Sequence, residues 1–380
     1  MTPTLRSLQT IVPDTQLVQE QVRDVFAAQP DLNRLGQRIV GTSFDVSGIA
    51  TRYTVIDELQ LEARPENPRF FDGEQNLLLS PGTKTRNELY IEAAGPLFVE
   101  AARRAIDGAE GITAADITHV VTVSCTGFFA PGPDFLIARE LQLRPGVQRY
   151  HLGFMGCYAA MPALRAAAQF CDADPEAVVL VVSVELCTLH LRTSNNPDTI
   201  VASSLFGDGA ASGIVTNRPL AAGERGLRLD RFETVITPLG ESDMAWTIGD
   251  EGFEMVLSTY VPQIIEQHVV DALRPLLADH EPLAAALEAD TMSGAVEHWA
   301  IHPGGRSILD RVQHRLELTE EQLEPARGVL HDVGNMSSAT VMFVMQRILH
   351  GQSAAGERVI AMAFGPGLTV ESALLEVAEG

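Results

Sequence analysis

A run near the middle of the chain, AVVLVVSVEL at residues 177–186, limits the possible folds most strongly. The run is almost wholly apolar and rich in β-branched residues, which indicates a strand that is buried on both faces. Such a strand needs a layer of other elements on each side, so it favours an α/β architecture. Further strands are predicted at residues 119–124, where the sequence is HVVTVS, and in the closing pair at 358–367 and 368–377.

Strand-like and helix-like segments alternate in two successive parts of the chain. The segment RPLAAGERG at residues 218–226 separates these parts, so we expect an N-terminal half at 1–218 and a C-terminal half at 219–380. The sequence also predicts irregular structure over 41–82. Three helices are predicted: one after Asp14 over 15–29, one over 84–106 with a kink at Pro96, and one over 251–277 around Pro262.

The composition excludes several classes of function. The chain has 380 residues and a formal net charge of -23, which argues against binding to nucleic acid or to an acidic membrane surface. No apolar run reaches membrane-spanning length, and the N-terminus lacks the basic and apolar segments of a secretory signal. The four cysteines form no CxxC pair, so we expect reduced thiols, no metal site and a cytoplasmic protein.

Cys157 is the first candidate for chemistry. It lies in the segment 151–171, HLGFMGCYAAMPALRAAAQFC, where an Ala-rich, buried helix is predicted to begin close to the cysteine. Pro162 indicates either a kinked first turn or a late start of this helix. The free N–H groups and the dipole at a helix N-terminus lower the pKa of a thiol, so we expect a reactive thiolate. The alternative is a cysteine that only packs in the core.

His302 and Asn335 are the second and third candidates. His302 follows a predicted strand in the sequence AIHPGGRSILD, and active-site residues of α/β proteins gather at strand ends. Asn335 stands between a glycine and a buried helix in GNMSSA. Taken singly, the histidine is as well explained by a hydrogen-bonded core residue, and the asparagine by a helix cap. A cysteine, a histidine and an asparagine at such positions together indicate thioester chemistry.

Five motifs in this order resemble the type III polyketide synthases, the chalcone-synthase-like family: GFMGCYAA, SLFGDGAAS, IHPGGRSILD, GNMSSAT and AFGPG. The resemblance covers nearly the whole chain. It implies a thiolase-like fold of two similar αβαβα halves, assembled as a homodimer. It also implies that Cys157 carries the growing chain, that His302 partners its thiolate, and that His302 and Asn335 together donate hydrogen bonds to the thioester oxygen.

The resemblance assigns further residues to the substrate cavity. It implies gating positions at Phe206 and Met255, although a shift of two residues would place the second gate at Phe253. It implies that the remaining cavity positions are Cys125, Cys187, His190, Ser337, Gly365, Pro366 and Gly367. Chalcone synthases have threonine where this chain has Cys125, Cys187 and His190, and a small glycine where it has Trp246. The segments ELCTLHL and SCTGFFAPGPD resemble the bacterial members that take aliphatic acyl-CoA starters and make alkylpyrones, alkylresorcinols or related lipids.

The substrates follow from the same resemblance. It implies acyl-CoA and malonyl-CoA as substrates and no cofactor beyond these thioesters. The basic residues that hold CoA phosphates in the family have no clear counterpart here, and Arg52, Arg306 or Arg38 are the candidates. Two alternatives stay open at this point: an initiating ketoacyl-ACP synthase, which also uses Cys, His and Asn, and a non-catalytic thiolase-like subunit. The acidic charge and Phe206 argue against the first, and the complete catalytic set argues against the second.

Overall fold

The elements of the fold alternate between strands and helices, as a computed structural model describes them for residues 2–60 and 65–380. The strands are Thr4–Ile11 (β1), Thr15–Val18 (β2), Thr51–Thr54 (β3), Phe71–Asp72 (β4), Leu77–Leu78 (β5), His119–Ser124 (β6), Gln148–Gly153 (β7), Val178–Leu186 (β8), Asp208–Thr216 (β9), Arg225–Ile236 (β10), Met244–Gly249 (β11), Gly252–Leu257 (β12), His298–Ile301 (β13), Arg358–Gly365 (β14) and Thr369–Glu379 (β15). The helices are Gln19–Ala27 (α1), Arg34–Asp45 (α2), Thr83–Asp107 (α3), Pro133–Glu140 (α4), Ala160–Ala173 (α5), Pro197–Leu205 (α6), Val261–Leu277 (α7), Glu281–Glu288 (α8), Met292–Ala295 (α9), Arg306–Leu316 (α10), Glu320–Val333 (α11) and Thr340–His350 (α12).

Within the described ranges, nine strands form one mixed sheet in the order β13-β14-β15-β10-β1-β9-β8-β6-β7. The strands of residues 4–216 are neighbours in one part of this strand order, and the strands of residues 225–379 are neighbours in the other part. The two parts meet where β1 pairs antiparallel with β10. The predicted α/β class is therefore confirmed, whereas the exact division at 218/219 stays a prediction.

Strand β8 lies between two helical layers, as its apolar sequence predicted. Val178, Leu180 and Val182 belong to the core that contains the apolar residues of α3. The alternate residues Val179 and Val181 belong to the core that contains the buried face of α5. Successive side chains of a strand point to opposite faces, so a wholly apolar strand requires this arrangement.

The helix predictions are correct for α3 and wrong at two places. Helix α3 spans Thr83–Asp107 and contains Pro96, as predicted. Residues 15–18 are strand β2, because they pair with β3 before α1 begins. Residues 252–257 are strand β12, because they form a hairpin with β11, and α7 begins only at Val261. In its described part, 41–60 and 65–82, the segment predicted to be irregular includes the end of α2 and three short strands.

The site residues follow directly after strand ends. Cys125 follows β6, Cys187 follows β8, His302 follows β13 and Pro366 follows β14. Strands β6 and β8 run parallel, and so do β13 and β14. Within each parallel pair the two following residues therefore lie at the same end of their strands. All four of these residues line one cavity, to which both parts of the chain contribute.

Candidate active site

A cavity of about 40 Å³ brings together Cys157, His302 and Asn335. The three residues come from separate parts of the chain and were predicted as the catalytic set. The other predicted residues in the cavity wall are Cys125, Cys187, Phe206, Met255, Ser337 and Pro366. Residues that sequence reasoning did not place in the wall include Thr126, Met244, Ala245, Leu257, Gly304, Ile308 and Phe364.

Gly156 fixes the backbone that presents Cys157. Its φ of 86° lies in the region that favours glycine. A Cβ at this position would lie 2.5 Å from Cδ of Pro366, which is far inside contact distance. The backbone of the cysteine segment therefore packs directly against the turn between β14 and β15. The N–H of Gly156 also donates to the sulfur of Cys125 at 3.0 Å, which places a second thiol beside the segment that carries Cys157.

The expected lowering of the Cys157 pKa is wrong. Burial raises the pKa of this thiol to about 11, although interactions with the side chains of Ser337 and Asn335 act in the opposite direction. The expectation placed the cysteine at the start of a helix, but α5 begins at Ala160 and Pro162 lies in its first turn. Cys157 therefore precedes the helix, and the cost of burying a thiolate outweighs the polar groups around it.

His302 presents a neutral imidazole to the cavity. The residue is 1% exposed, and burial lowers the pKa of its side chain to about 3. Its backbone N–H donates to the carbonyl of Met362 at 2.8 Å, which holds it at the end of β13. Neither ring nitrogen has a hydrogen-bond partner among the described residues. A neutral imidazole offers one donor and one acceptor, so both functions stay available to a substrate.

Asn335 is both a cap and a component of the site. Its Oδ1 accepts the N–H of Ser337 at 2.8 Å, and its Nδ2 donates to the carbonyl of Gly304 at 3.2 Å. Its backbone is fixed as well, because its N–H donates to Leu205 and its carbonyl accepts from Gly207. The two alternatives for this residue are therefore compatible. One of the two N–H groups of Nδ2 is used by Gly304, which leaves the other for an oxygen in the cavity.

The three remaining wall residues predicted from the sequence lie behind the cavity surface. A Cβ on Gly365 would overlap the ring of Tyr158, and Gly367 has a φ of 117°, so both shape the turn that places Pro366. His190 is also absent from the lining of this cavity and lines a smaller adjoining cavity that shares Trp246 and Met255 with it. The loop 365–367 thus walls the cavity through Pro366, as predicted, and a substrate contact of Gly365, Gly367 or His190 stays a prediction.

Comparison with known proteins identifies the family. The N-terminal domain of the chalcone and stilbene synthases matches residues 2–219, and their C-terminal domain matches residues 230–378. The chain belongs to the chalcone and stilbene synthase family. It is 31% identical over 371 residues to type III polyketide synthase C of Arabidopsis thaliana, which covers 96% of this chain and 91% of that protein. Type III polyketide synthase 21 of Oryza sativa subsp. japonica is 32% identical over 374 residues, with coverage of 96% and 90%.

Solved structures of similar enzymes share the fold. PKS-I from the brown alga Ectocarpus siliculosus matches with a TM-score of 0.87 at 29% identity, covering 99% of this chain and 98% of that one. The 1,3,6,8-tetrahydroxynaphthalene synthase of Streptomyces coelicolor matches with a TM-score of 0.84 at 27% identity, covering 99% and 100%. The thiolase-like fold and the type III polyketide synthase family are thus confirmed. The protein is a decarboxylating, condensing acyltransferase.

The hairpin β11–β12 forms one wall of the synthase cavity. Trp246 on β11 stands opposite Met255 on β12, and both line the cavity. Phe253, two residues earlier on β12, lies outside this cavity and stacks on His190. The count that placed Met255 in the wall therefore agrees with the geometry, and its role as a gate stays a prediction.

The assignment of Arg52 to CoA is wrong. Its side chain is fully buried and donates to the carbonyls of Ser203 and Phe206, so no phosphate reaches it. Arg306 lines an open channel of about 650 Å³ that shares Leu257, Gly304 and Ile308 with the synthase cavity. It lies 3.6 Å from Asp310, and its side chain is 57% exposed. Its contact with CoA stays a prediction, and Arg38 is exposed on α2 outside the lining of this channel.

Glu185 is a buried carboxyl that sequence reasoning missed. It accepts the N–H of Cys125 at 2.9 Å and the hydroxyl of Thr126 at 3.0 Å, and it also pairs with the hydroxyl of Ser338. Burial raises the pKa of this carboxyl, and its negative charge helps to raise the pKa of the Cys157 thiol. The signal was present in the sequence, because Glu185 is the one acidic residue in the apolar run 177–186.

Proposed function

We propose that this synthase loads an aliphatic acyl-CoA onto Cys157, extends it with malonyl-CoA and cyclises the product to a pyrone, a resorcinol or a related polyketide. The observation that carries the proposal is the meeting of Cys157, His302 and Asn335 in one cavity whose wall is mostly apolar or sulfur-bearing. The bacterial alkylpyrone and alkylresorcinol type is part of the same proposal.

Loading begins with a protonated thiol. Burial raises the pKa of Cys157 above that of a free thiol, so the resting group is mainly protonated and attack on the starter requires a base. His302 accepts the thiol proton as sulfur adds to the thioester carbon. The carbonyl oxygen gains negative charge, and the free N–H of Asn335 donates to it. Collapse of this intermediate releases the CoA thiol, which takes up the proton.

Extension uses the same donors without a metal. The C–C bond of malonyl-CoA to its carboxylate breaks, CO₂ leaves, and the electron pair forms an enolate on the thioester. The N–H of neutral His302 and the free N–H of Asn335 stabilise the enolate oxygen. The enolate carbon then attacks the acyl carbon on Cys157. The cysteine sulfur leaves, and the chain is two carbons longer on CoA.

The wall supports an aliphatic starter over a phenolic one. Cys125, Cys187 and Met255 present soft sulfur-bearing surfaces, which adapt to an alkyl chain. The hydroxyl of Thr126 is committed to Glu185, and the indole N–H of Trp246 donates to the Cys125 carbonyl at 3.0 Å. A buried phenol without a partner costs about 1–3 kcal/mol, whereas each buried CH₂ contributes about 0.8 kcal/mol.

The setting of the reaction is part of the proposal. We place the synthase in the cytoplasm as a homodimer that needs no cofactor beyond its CoA thioesters. Strand β7 supports a dimer, because it is an exposed edge of the main sheet and is followed by the exposed Phe154. Among the residues described, no helix combines the length and the apolarity needed to cross a membrane.

The test is an assay with defined thioesters. Purified protein receives malonyl-CoA with straight-chain acyl-CoAs from acetyl-CoA upward, or with coumaroyl-CoA, and products are identified by mass. We expect kcat/KM to rise with alkyl length until the cavity is full and then to fall. A flat alkyl series, or coumaroyl-CoA as the best starter, would contradict the proposed starter. Activity that requires an acyl carrier protein would indicate a ketoacyl synthase, and no decarboxylation with any donor would indicate a non-catalytic subunit.

A further inference from the structure

The hairpin β11–β12 shapes the cavity but does not belong to the main sheet. It forms a separate two-stranded sheet, so the neighbouring strands do not fix its position. It nevertheless supplies Met244, Trp246, Met255 and Leu257 to the cavity wall. The shape of the cavity therefore depends on the contacts that hold this hairpin in place.

His190 makes two hydrogen bonds that join the hairpin to the protein body. Its Nδ1 accepts the backbone N–H of Phe253 at 3.0 Å, and its Nε2 lies 2.7 Å from the carbonyl oxygen of Thr126. A backbone N–H only donates and a carbonyl only accepts, so these partners require the neutral tautomer with hydrogen on Nε2. Burial favours this state, since it lowers the pKa of His190 to about 3.

The same ring packs against two aromatic residues of the hairpin. It stacks on Phe253 with a centroid distance of 4.2 Å and an interplanar angle of 12°. Trp246 meets it edge-on at 5.7 Å and 83°. The indole N–H of Trp246 in turn donates to the carbonyl of Cys125, next to Thr126. Both strands of the hairpin are thus tied, through His190 and Trp246, to the segment that follows β6.

We propose that His190 is a positioning residue that fixes the β11–β12 hairpin and thereby sets the length of the acyl chain that the cavity accepts. It acts through the placement of Trp246 and Met255, because it does not itself line the cavity. The part of this inference that concerns chain length rests on the proposed function. The part that concerns the hairpin does not.

The tip of the hairpin is attached to the protein body by Thr83, independently of His190. Thr83 donates its N–H to the carbonyl of Asp250 and accepts the N–H of Gly252 on its hydroxyl, each at 2.8 Å. Removing His190 should therefore loosen the middle of β12 while the tip stays held. The expected consequence is a cavity with a movable wall and a broader set of products.

Hydrogen exchange on the wild-type protein is the first test, since it needs no substitution. The amide of Phe253 should be protected, because its only described partner outside the hairpin is Nδ1 of His190. His190→Leu removes both hydrogen bonds and should raise exchange over residues 252–257 by about tenfold or more. The variant should also spread its products over several chain lengths while it still decarboxylates malonyl-CoA at a near-normal rate.

His119→Leu is the matched control. His119 is another histidine with little solvent exposure, hydrogen-bonded to Thr118 and stacked on Phe170, away from the hairpin. This control should leave hairpin exchange and product lengths unchanged. A fast-exchanging Phe253 amide in the wild type, or a folded His190→Leu protein with unchanged exchange and products, would overturn the proposal.

A second variant decides the matter if His190→Leu does not fold. His190→Asn keeps an acceptor near the Phe253 amide and loses the bond to Thr126, so exchange and product spread should lie between those of wild type and His190→Leu. Wild-type values for both readouts would overturn the proposal. A wild type that makes no polyketide would refute the proposed function, and exchange at Phe253 would still test the hairpin attachment.

Discussion

The guanidinium of Arg52 donates to the carbonyl oxygen of Phe206 at 2.6 Å. It also donates to the carbonyl of Ser203 at 2.8 Å. Arg52 thus connects the last turn of α6 to Phe206, the residue of the cavity wall that follows this helix. Arg52 is fully buried, and Asp208 is the acidic group that opposes its charge. A cation inside the protein thus fixes the backbone at the wall residue Phe206, two residues before β9 begins.

Replacing Arg52 should lower the stability of the fold and leave the affinity for CoA unchanged. We expect Arg52→Met to lower the free energy of unfolding by about 3–5 kcal/mol, because it leaves buried partners without a counter-charge. Chemical denaturation measures this change. The KM for acyl-CoA of the folded fraction should stay near its wild-type value.

Arg306→Met is the matched substitution at the exposed arginine of the channel. It should leave the free energy of unfolding within about 0.5 kcal/mol of wild type and raise the KM for acyl-CoA. The reverse pattern, with Arg306→Met unstable and Arg52→Met weak in CoA binding, would restore the original assignment of Arg52.

Cys157 should react with iodoacetamide in a strongly pH-dependent way. Its folded pKa of about 11 lies above that of a free thiol, so the thiolate fraction should rise about tenfold per pH unit from pH 7 to pH 10. Cys157 should still react first, because it is partly exposed while Cys125, Cys171 and Cys187 are buried. Mass spectrometry of each labelled cysteine gives the rates. A plateau near pH 7 would instead indicate a resting thiolate paired with an imidazolium.

Asn335→Ala should lower malonyl-CoA decarboxylation by about 100–1000-fold, the usual cost of removing one oxyanion donor. Asn33→Ala is its control, because Asn33 caps α2 by accepting the N–H groups of Leu35 and Gly36 and lies outside the cavity. The control should cost about 1 kcal/mol of stability and no decarboxylation rate. An Asn335→Ala enzyme with near-normal CO₂ release would leave Asn335 with its capping role alone.

The candidate set of Cys157, His302 and Asn335 could be found in the sequence because each residue follows a strand or precedes a helix that hydrophobic patterning reveals, and the structure brings the three together. Strand β8 and helix α3 were also predictable, the strand from its continuous apolar run. The pKa of Cys157 was not predictable, because it depends on burial by segments that are distant in the sequence. Arg52 was misassigned for the same reason: its partners lie about 150 residues away, and a sequence does not show that a charged side chain is enclosed.

Met255→Phe should shorten the longest acyl chain that the synthase accepts. Met255 stands opposite Trp246 in the hairpin, so a rigid ring at this position reduces the remaining width of the cavity. The longest productive acyl-CoA in a chain-length series measures the effect. Phe253→Ala serves for comparison, and if it alone changed the limiting length, Phe253 and not Met255 would be the gate.

The hairpin was the main error in predicting the secondary structure. Pro262 indicated a helix over 251–277, but it lies in the first turn of α7, where proline costs no hydrogen bond. The strand before it pairs only with β11, and this pairing is local and short. The same error concealed the hydrogen bond between His190 and the hairpin, because its partner Phe253 was expected on a helix.

Strand β1 pairs with β9 on one side and with β10 on the other. Both partners are synthesised about 200 residues after it, and ribosomes add roughly 5–20 residues per second. Strand β1 of the nascent chain therefore waits roughly 10–40 seconds for these two neighbours. During that time Leu5 and Leu8, which end in the core, have no sheet to cover them. Strand β1 thus joins the sheet long after its own synthesis, and the pairing that connects the two parts of the sheet is a late step in folding.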